Sequence, residues 1–235
     1  MKTILLFFII LGILIATVGW IRYGGGDPYQ DLSTTPILNG SVLEEVLAYP
    51  EPIGNVAVSA EGRIFFTVHP ESRPQGNRLL EYVEGAAVPY PNVESQLELF
   101  DTVLGVAVDR YNRLWTIDHG NHGMRTARML TFDLDTDKLI HDERFPAHIA
   151  PAGSFLQDIQ VSADGRTVVI ADASFWRKRP SLVVYDIETG SMRRLLEGST
   201  TVAAENYRIR SQERDMSFLG GIFTLRGGVD GIALG

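Results

Sequence analysis

Hydrophobic and polar positions repeat three times along this chain in the same order. The copies occupy residues 56–68, 106–118 and 159–172, and each holds two short hydrophobic runs around a polar turn. Gly or Asn stands late in each turn, where hairpins commonly need a positive backbone φ. Hydrophobic runs bounded by such turns are typical of paired β-strands. The pattern therefore predicts three equivalent β-hairpins.

A second set of hydrophobic runs follows the hairpins at similar offsets. These runs occupy residues 78–82, 128–133 and 181–186, and a turn and a more polar strand come after them, best seen at residues 186–195. Equivalent positions in successive copies are about 50 residues apart, and a four-strand propeller blade needs ~40–50 residues. An all-β sandwich is the alternative, but it does not favour regular four-strand modules.

The copies predict a β-propeller. A fourth copy of the first strand begins at Ile232, and residues 199–223, which are polar and poorly periodic, are expected to form an insertion before it. The predicted fold class is all-β, with about three full blades plus the start of a fourth, preceded by one N-terminal apolar helix. Closed propellers usually have roughly 4–8 blades, so we expect a propeller truncated at its C-terminus.

An apolar segment opens the chain. Residues 3–20 carry no charged side chain, and a helix of ~20 such residues spans a bilayer. Trp20 and Tyr23 suit a membrane–water interface. An uncleaved signal anchor is favoured over a cleaved signal peptide, whose apolar core is usually ~7–15 residues long.

The apolar segment divides the chain into two predicted parts. Residues 1–26 form the anchor or signal with a glycine tether, and residues 27–235 form the partial propeller domain. With either kind of segment, the propeller lies outside the cytosol: it is secreted, periplasmic or membrane-anchored.

Composition excludes several classes of protein. The chain has no cysteine, which excludes disulfides, thiolate zinc sites and cysteine nucleophiles. It has 29 acidic against 21 basic residues and a net charge of −8. An acidic chain without a basic stripe does not fit nucleic acid, and contact with a membrane is expected only through the N-terminal segment.

Blade geometry places candidate residues on one rim. The start of an inner strand and the end of the next strand meet there, and polar and aromatic residues collect at those positions. The candidate ligand-binding residues are Asp118, His119, His122, Asp158, Asp172, Phe175, Trp176 and Asp230.

Each group of candidate residues is compatible with a functional role and with a structural one. Asp118, His119 and His122 can bind a divalent metal or exchange protons, or they can cap the backbone of their own loop. Asp158 and Asp172 can perform acid–base work or hold Ca²⁺, or accept backbone N–H groups at strand ends.

The remaining candidates point to a pocket at the channel mouth. Asp230 follows a Gly-Gly-Val run and is the residue best suited to a ligand or a metal. Phe175 and Trp176 can wall a small-molecule pocket, or can simply pack within their loop. No catalytic residue is assigned.

Several stretches resemble the major royal jelly / yellow family, in the bacterial branch often labelled dopachrome tautomerase-related. The resemblance covers roughly residues 45–235. It implies a six-bladed, extracytoplasmic propeller with a pocket at the channel mouth, and in some members a binder of small aromatic amines. The matching stretches are residues 105–109, 113–120, 158–174, 182–186 and 230–234.

A wider resemblance is to gluconolactonase and senescence marker propellers. That resemblance implies a catalytic divalent cation held by a Glu, an Asn and an Asp at the starts of inner strands. Asp230 stands at the Asp position, but Gly54 replaces the Glu and Gln157 replaces the Asn. A divalent cation, Ca²⁺ or another, is therefore expected only with Asp230 as a ligand.

These observations favour a propeller that binds a small, cationic or aromatic molecule at the top of its channel. One alternative is an enzyme, either a lactonase-like hydrolase that uses a divalent cation or a dopachrome-type isomerase. Another is a scaffold whose insertion, residues 199–223, contacts a protein partner.

Overall fold

The computed structural model describes residues 1–30, 34–211 and 214–234. The chain divides into two compact units. The helical unit contains residues 1–39 and 204–227, and the blade unit contains residues 40–203 and 228–235. The predicted boundary after residue 26 thus falls inside the helical unit.

Strands dominate the blade unit, and one long helix dominates the helical unit. Short 3₁₀ helices lie at Gly40–Val42 and Pro70–Ser72. In chain order the other elements are α1 (Lys2–Tyr23), β1 (Asp27–Pro28), β2 (Ile53–Val58), β3 (Ile64–Val68), β4 (Leu79–Val83), β5 (Ala86–Pro89), α2 (Ser95–Glu98), β6 (Val103–Val108), β7 (Arg113–Asp118), α3 (Gly120–Gly123), β8 (Arg128–Asp133), β9 (Lys138–Arg144), β10 (Leu156–Val161), β11 (Thr167–Asp172), β12 (Ser181–Asp186), β13 (Met192–Leu195), β14 (Tyr207–Arg208), β15 (Arg210–Ser211), β16 (Arg214–Asp215), β17 (Ser217–Phe218) and β18 (Phe223–Thr224).

The blade unit consists of three four-stranded antiparallel sheets, each connected in chain order. Strands β2–β5, β6–β9 and β10–β13 form the first, second and third blades. Neighbouring blades meet through their innermost strands, β2 against β6 and β6 against β10. A side chain at Gly105 in β6 would collide with the backbone of Gln157, so glycine allows this close approach. The structure confirms the predicted β-propeller arrangement.

Each interface between blades has its own hydrophobic core. Phe65 and Leu114 are buried between the first and second blades, and Trp115 and Ile170 are buried between the second and third. Leu114 and Trp115 are neighbours in β7, and they enter different cores because successive strand residues point to opposite faces of a sheet. The hydrophobic runs recognised in the sequence are therefore buried on both faces of the middle blade.

Two buried aspartates end the second strands of the second and third blades. They occupy equivalent positions, because Asp118 pairs with Val103 and Asp172 pairs with Leu156 at the starts of the inner strands. In the first blade Val68 takes this place, opposite Ile53.

The two carboxylates hold the loops that enter their blades. Asp118 accepts backbone hydrogen bonds from Asp101 at 2.6 Å and from Thr102 at 2.9 Å. Asp172 accepts one from Phe155 at 2.7 Å, and its other oxygen forms an ion pair with Arg194 at 2.8 Å. Both are structural groups that join one blade to the next.

The chain leaves the blade pattern where the sequence predicted an insertion. Residues 204–227 belong to the helical unit, and the chain returns to the blade unit at residue 228. The predicted first strand of a fourth blade is not formed, because residues 231–234 pair with no strand in the described part of the chain. Instead, the backbone N–H of Ile232 donates to the Asp158 carboxylate at 2.8 Å.

The helical unit is built around α1. This helix has 22 residues, none of them buried, and a length of roughly 33 Å that suits a bilayer. By length and composition the helix could cross a membrane, and a signal sequence near an N-terminus has the same properties. Short strands complete the unit: β1 pairs with β14, β15 with β16, and β17 with β18.

The buried ion pair of the third blade generates a stability prediction. Asp172→Ala leaves the backbone N–H groups of Phe155 and Ser174 without their acceptor and removes one ion pair of Arg194, which keeps its ion pair with Glu197 at 2.9 Å. A buried donor without an acceptor typically costs about 1–3 kcal/mol, so we expect a decrease of that size in the free energy of unfolding in urea.

The matched control is Glu188→Ala, which changes an exposed residue in the same blade. Its urea midpoint is expected to stay at the wild-type value. Equal midpoints for the two variants would contradict the structural role assigned to Asp172.

Candidate functional site

Loops from all three blades meet at one rim. The first blade contributes the 3₁₀ turn after β3, the second contributes α3 after β7, and the third contributes the loops before β10 and after β11. Their side chains form a group that we call the rim cluster: His69, Glu71, His119, His122, Phe155 and Trp176.

The loop of the second blade has an unusual backbone. All four residues of α3 have a positive φ, including the non-glycine residues Asn121 (50°) and His122 (57°). A non-glycine residue in this conformation costs roughly 1–2 kcal/mol, and such strain concentrates at functional sites. Glycine is required at both ends, because side chains at Gly120 and Gly123 would collide with the carbonyl oxygens of Arg125 and Pro151.

This left-handed turn directs His122 toward the first and third blades. Its Nε2 lies 2.8 Å from the Glu71 carboxylate. Its ring centroid lies 4.4 Å from that of Phe155 and 6.4 Å from that of Trp176. The hydrogen bond with His122 is the main cause that lowers the pKa of Glu71, which therefore stays ionised at neutral pH.

His119 is buried and neutral. Burial lowers its pKa to about 3, and the nearby His122 contributes to the shift. Its Nδ1 accepts a hydrogen bond from the backbone N–H of His122 at 2.9 Å, so the proton of the neutral ring lies on Nε2. That Nε2 has no hydrogen-bond partner within the described residues. The site therefore contains a buried N–H donor without an acceptor, and such donors are rare.

A pair of carboxylates extends the cluster along the rim. Burial raises the pKa of Asp230, the Asp158 carboxylate raises it further, and His69 opposes both effects. Asp158 accepts backbone hydrogen bonds from Ile159 and Ile232, each at 2.8 Å. Burial lowers the pKa of His69, and the negative charges of Glu71 and Asp230 both oppose that effect. His69 therefore lies close to both carboxylates and links the Asp158–Asp230 pair to the rim cluster.

The charges at the rim are unbalanced. Glu71, Asp158 and Asp230 supply three carboxylates, whereas burial lowers the pKa values of His69 and His119 and favours their neutral forms. This arrangement can stabilise a cation, and the rings of Phe155 and Trp176 can stack on an apolar or aromatic group.

Comparison with known proteins identifies the family. The sequence profile described as "Major royal jelly protein" matches residues 101–229, more than half of the chain. The chain belongs to the major royal jelly protein family.

Two curated relatives come from Apis mellifera. Major royal jelly protein 3 is 31% identical over 140 residues, which cover 55% of this chain and 24% of the relative. Major royal jelly protein 7 is 28% identical over 176 residues, covering 70% of this chain and 36% of the relative. The matched segment thus spans about a quarter to a third of these family members.

Solved structures with similar folds have low sequence identity. The nidogen/laminin complex is 12% identical with a TM-score of 0.44, covering 65% of this chain and 50% of the other. A gluconolactonase from Xanthomonas campestris is 19% identical with a TM-score of 0.40, covering 62% and 47%. The periplasmic gluconolactonase of Pseudomonas aeruginosa is 12% identical with a TM-score of 0.38, covering 65% and 45%.

The gluconolactonase set of metal ligands does not fit this family member. Gly54 has no side-chain carboxylate, and a side chain there would collide with Leu104 and Thr67. No three His, Asp or Glu side chains of the described residues converge to hold a metal ion. Asp230 as the ligand of a divalent cation stays a prediction, with Asp158 as the carboxylate beside it.

The structure brings some of the predicted residues together at the rim and engages others in hydrogen bonds with the backbone. His119, His122 and Trp176 come together, and Asp158 lies beside Asp230. Both Asp118 and Asp172 are committed to backbone N–H groups at strand ends, as in the alternative drawn from the sequence. Phe175 is buried, with the Lys178 ammonium 4.1 Å from its ring centroid, so Trp176 is the more accessible aromatic residue.

Sequence reasoning missed Glu71 and Phe155. Glu71 follows β3 at the rim position that His119–His122 occupy after β7, so the repeat itself could have identified it. Phe155 precedes the inner strand β10, and the sequence provides no sign that its ring contacts two histidines.

The buried neutral histidine generates a prediction about pH. The unfolded chain binds a proton at His119 near its ordinary pKa of 6.5, but the folded chain does not until about pH 3. Folded-state stability is therefore highest above pH 6.5 and decreases as the pH falls, by at most about 1.4 kcal/mol per pH unit from this group. His119→Asn, which retains an acceptor near Nδ1, removes this contribution.

Urea unfolding at pH 7, 5.5 and 4.5 measures the effect. As the pH falls, the unfolding free energy of wild type is expected to decrease more than that of His119→Asn. His148→Asn, at an exposed position, serves as the control. A wild-type–variant difference that is the same at all three pH values would contradict the buried neutral state of His119.

Proposed function

We propose that this chain is an extracytoplasmic member of the major royal jelly protein family that binds a small aromatic cation at the rim cluster. The observation that carries the proposal is the ionised Glu71 at 2.8 Å from His122, whose ring centroid in turn lies 4.4 Å from that of Phe155 and 6.4 Å from that of Trp176. A negatively charged carboxylate and aromatic rings that can stack on a ligand occur together here, on loops that three blades support.

The chemistry of the cluster favours an amine over a neutral ligand. An ammonium group near Glu71 or Asp230 would gain charge-assisted hydrogen bonds, which contribute about 1.5–3 kcal/mol each. An aromatic group of the same ligand would stack on Trp176, whose side chain is partly exposed. The unpartnered Nε2–H of His119 offers one donor to a ligand oxygen or a bridging water.

One feature supports a location outside the cytosol. Helix α1 is long and apolar enough to direct the chain into or across a membrane. Whether α1 is a signal anchor, as proposed, or a cleaved signal is decided by measuring the N-terminus of the exported protein.

Calorimetry on the full chain tests the binding proposal. Tryptamine is expected to bind, whereas indole-3-ethanol, which has the same ring without the charge, is expected to bind at least roughly tenfold more weakly because it cannot pair with Glu71. Glu71→Gln is expected to weaken tryptamine roughly 10–100-fold, and Trp176→Ala roughly fivefold through the lost stacking.

The control is Glu94→Gln, which neutralises an exposed carboxylate in the connection before α2. Its affinity for tryptamine should equal that of wild type. Equal binding of the amine and the alcohol, or wild-type affinity in Glu71→Gln, would contradict an ionic aromatic site at the rim.

The His122–Glu71 pair also favours a second candidate, a dopachrome-type isomerase. A histidine held at 2.8 Å by a carboxylate is an arrangement that transfers protons. If this candidate is correct, dopachrome decay is faster with wild type than with His122→Gln, typically by about 10²–10⁴-fold for a general acid or base. Decay at the rate of buffer alone would leave the binding function.

A further inference from the structure

We propose that residues 214–227 form a membrane collar, a surface that lies in the phospholipid interface beside the end of α1. The collar contains β16, β17, β18 and the turn between the last two. This proposal rests on the proposed role of α1 as a membrane anchor, and it concerns a segment that the blades do not use.

Contacts within the helical unit place the collar against α1. Ile222 and Phe223 lie against Gly19, and the ring centroids of Tyr23 and Phe223 are 5.5 Å apart in a stacked arrangement. Gly19 lies in the last third of the helix. A helix that spans the bilayer therefore brings these collar residues to the depth at which interfacial aromatic residues reside.

The turn of the collar exposes apolar side chains. Leu219 is 67% exposed, and Phe218 is 48% exposed although its ring stacks on Phe223 at 4.7 Å. Positive φ values at Leu219, Gly220 and Gly221 hold the turn in this form. Exposed leucine and phenylalanine at a hairpin tip are stabilised by entering the acyl region, because their apolar surface is removed from water.

Arginines surround the point where the chain leaves α1. The side chains of Arg208 and Arg226 approach Gly26, and Arg226 donates to the carbonyl oxygen of Gly24 at 2.7 Å. Arg22 lies in the last turn of the helix. Arg208 forms an ion pair with Asp215 at 2.8 Å, and Arg226 also donates to Asn206 at 2.7 Å. A guanidinium group has five N–H donors and binds phosphate oxygens well, so the remaining donors fit phospholipid headgroups.

Charge distinguishes the collar from the rest of the chain. The helical unit has six basic and five acidic residues, a net charge of +1, whereas the blade unit has 15 basic and 24 acidic residues, a net charge of −9. An acidic surface is repelled by anionic lipid, whereas a near-neutral surface with arginines next to an apolar turn matches an interfacial segment. A lipid bilayer is therefore the partner that this surface fits.

The absence of cysteine allows a direct test in the full chain. Single-cysteine variants carry a nitrobenzoxadiazole fluorophore and are reconstituted into phosphatidylcholine vesicles with or without doxyl-labelled lipid. Leu219→Cys reports on the collar and Ile10→Cys reports on the helix. Val93→Cys, with 66% exposure in the blade unit, is the matched reference for Leu219 at 67%.

If the collar lies in the lipid interface, the fluorophore at positions 219 and 10 is expected to show blue-shifted emission and quenching by doxyl-labelled lipid. The fluorophore at position 93 is expected to show neither effect. Loss at position 10 but not at 219 would overturn the collar and leave the anchor in place. Loss at neither position would overturn both. Tryptamine binding to the same variants reports separately on the rim cluster, so its outcome is independent of these results.

Discussion

The buried carboxylate of Asp118 holds together the loop on which the candidate site depends. One oxygen accepts the backbone N–H groups of Asp101 and Thr102, and the other accepts from Gly120 at 2.9 Å and from the Thr102 hydroxyl at 2.8 Å. The Thr102 hydroxyl in turn accepts from the backbone N–H of Asn121 at 2.8 Å. Buried N–H groups must be satisfied, and one acidic side chain thereby supports a left-handed turn that would otherwise be costly.

The other blades meet the same requirement in different ways. In the third blade Asp172 accepts from the backbone of Phe155 and Ser174, which orients the ring of Phe155 toward the histidines. The first blade has Val68 at that position, and its loop closes instead through His69, whose Nδ1 accepts from the backbone N–H of Glu71 at 3.3 Å. His119 uses its Nδ1 in the same way, so both histidines position neighbouring residues as well as shaping the electrostatics.

Neutral histidines, separate carboxylates and aromatic rings together make this rim better suited to an organic cation than to an anion or a metal ion. Two of the histidines are kept neutral by burial, and the carboxylates are spread along the rim instead of converging on one point. A divalent ion needs several ligands within a short distance, whereas an organic cation is served by one carboxylate and an aromatic wall. Membership of the major royal jelly protein family establishes the lineage of the chain, and the proposed ligand rests on this arrangement of charge and rings.

The sequence by itself determined the strands, the blade repeat and the apolar helix, because hydrophobic alternation and turn residues act over a few neighbouring positions. It also placed His119, His122 and Trp176 on one rim, since blade topology follows from the repeat. Only the tertiary structure decided which aspartates are structural, which of Phe175 and Trp176 is accessible, and that Glu71 meets His122. The last two residues are 51 positions apart, and their contact arises from the packing of β2 against β6, where local sequence patterns carry no information about distance or orientation.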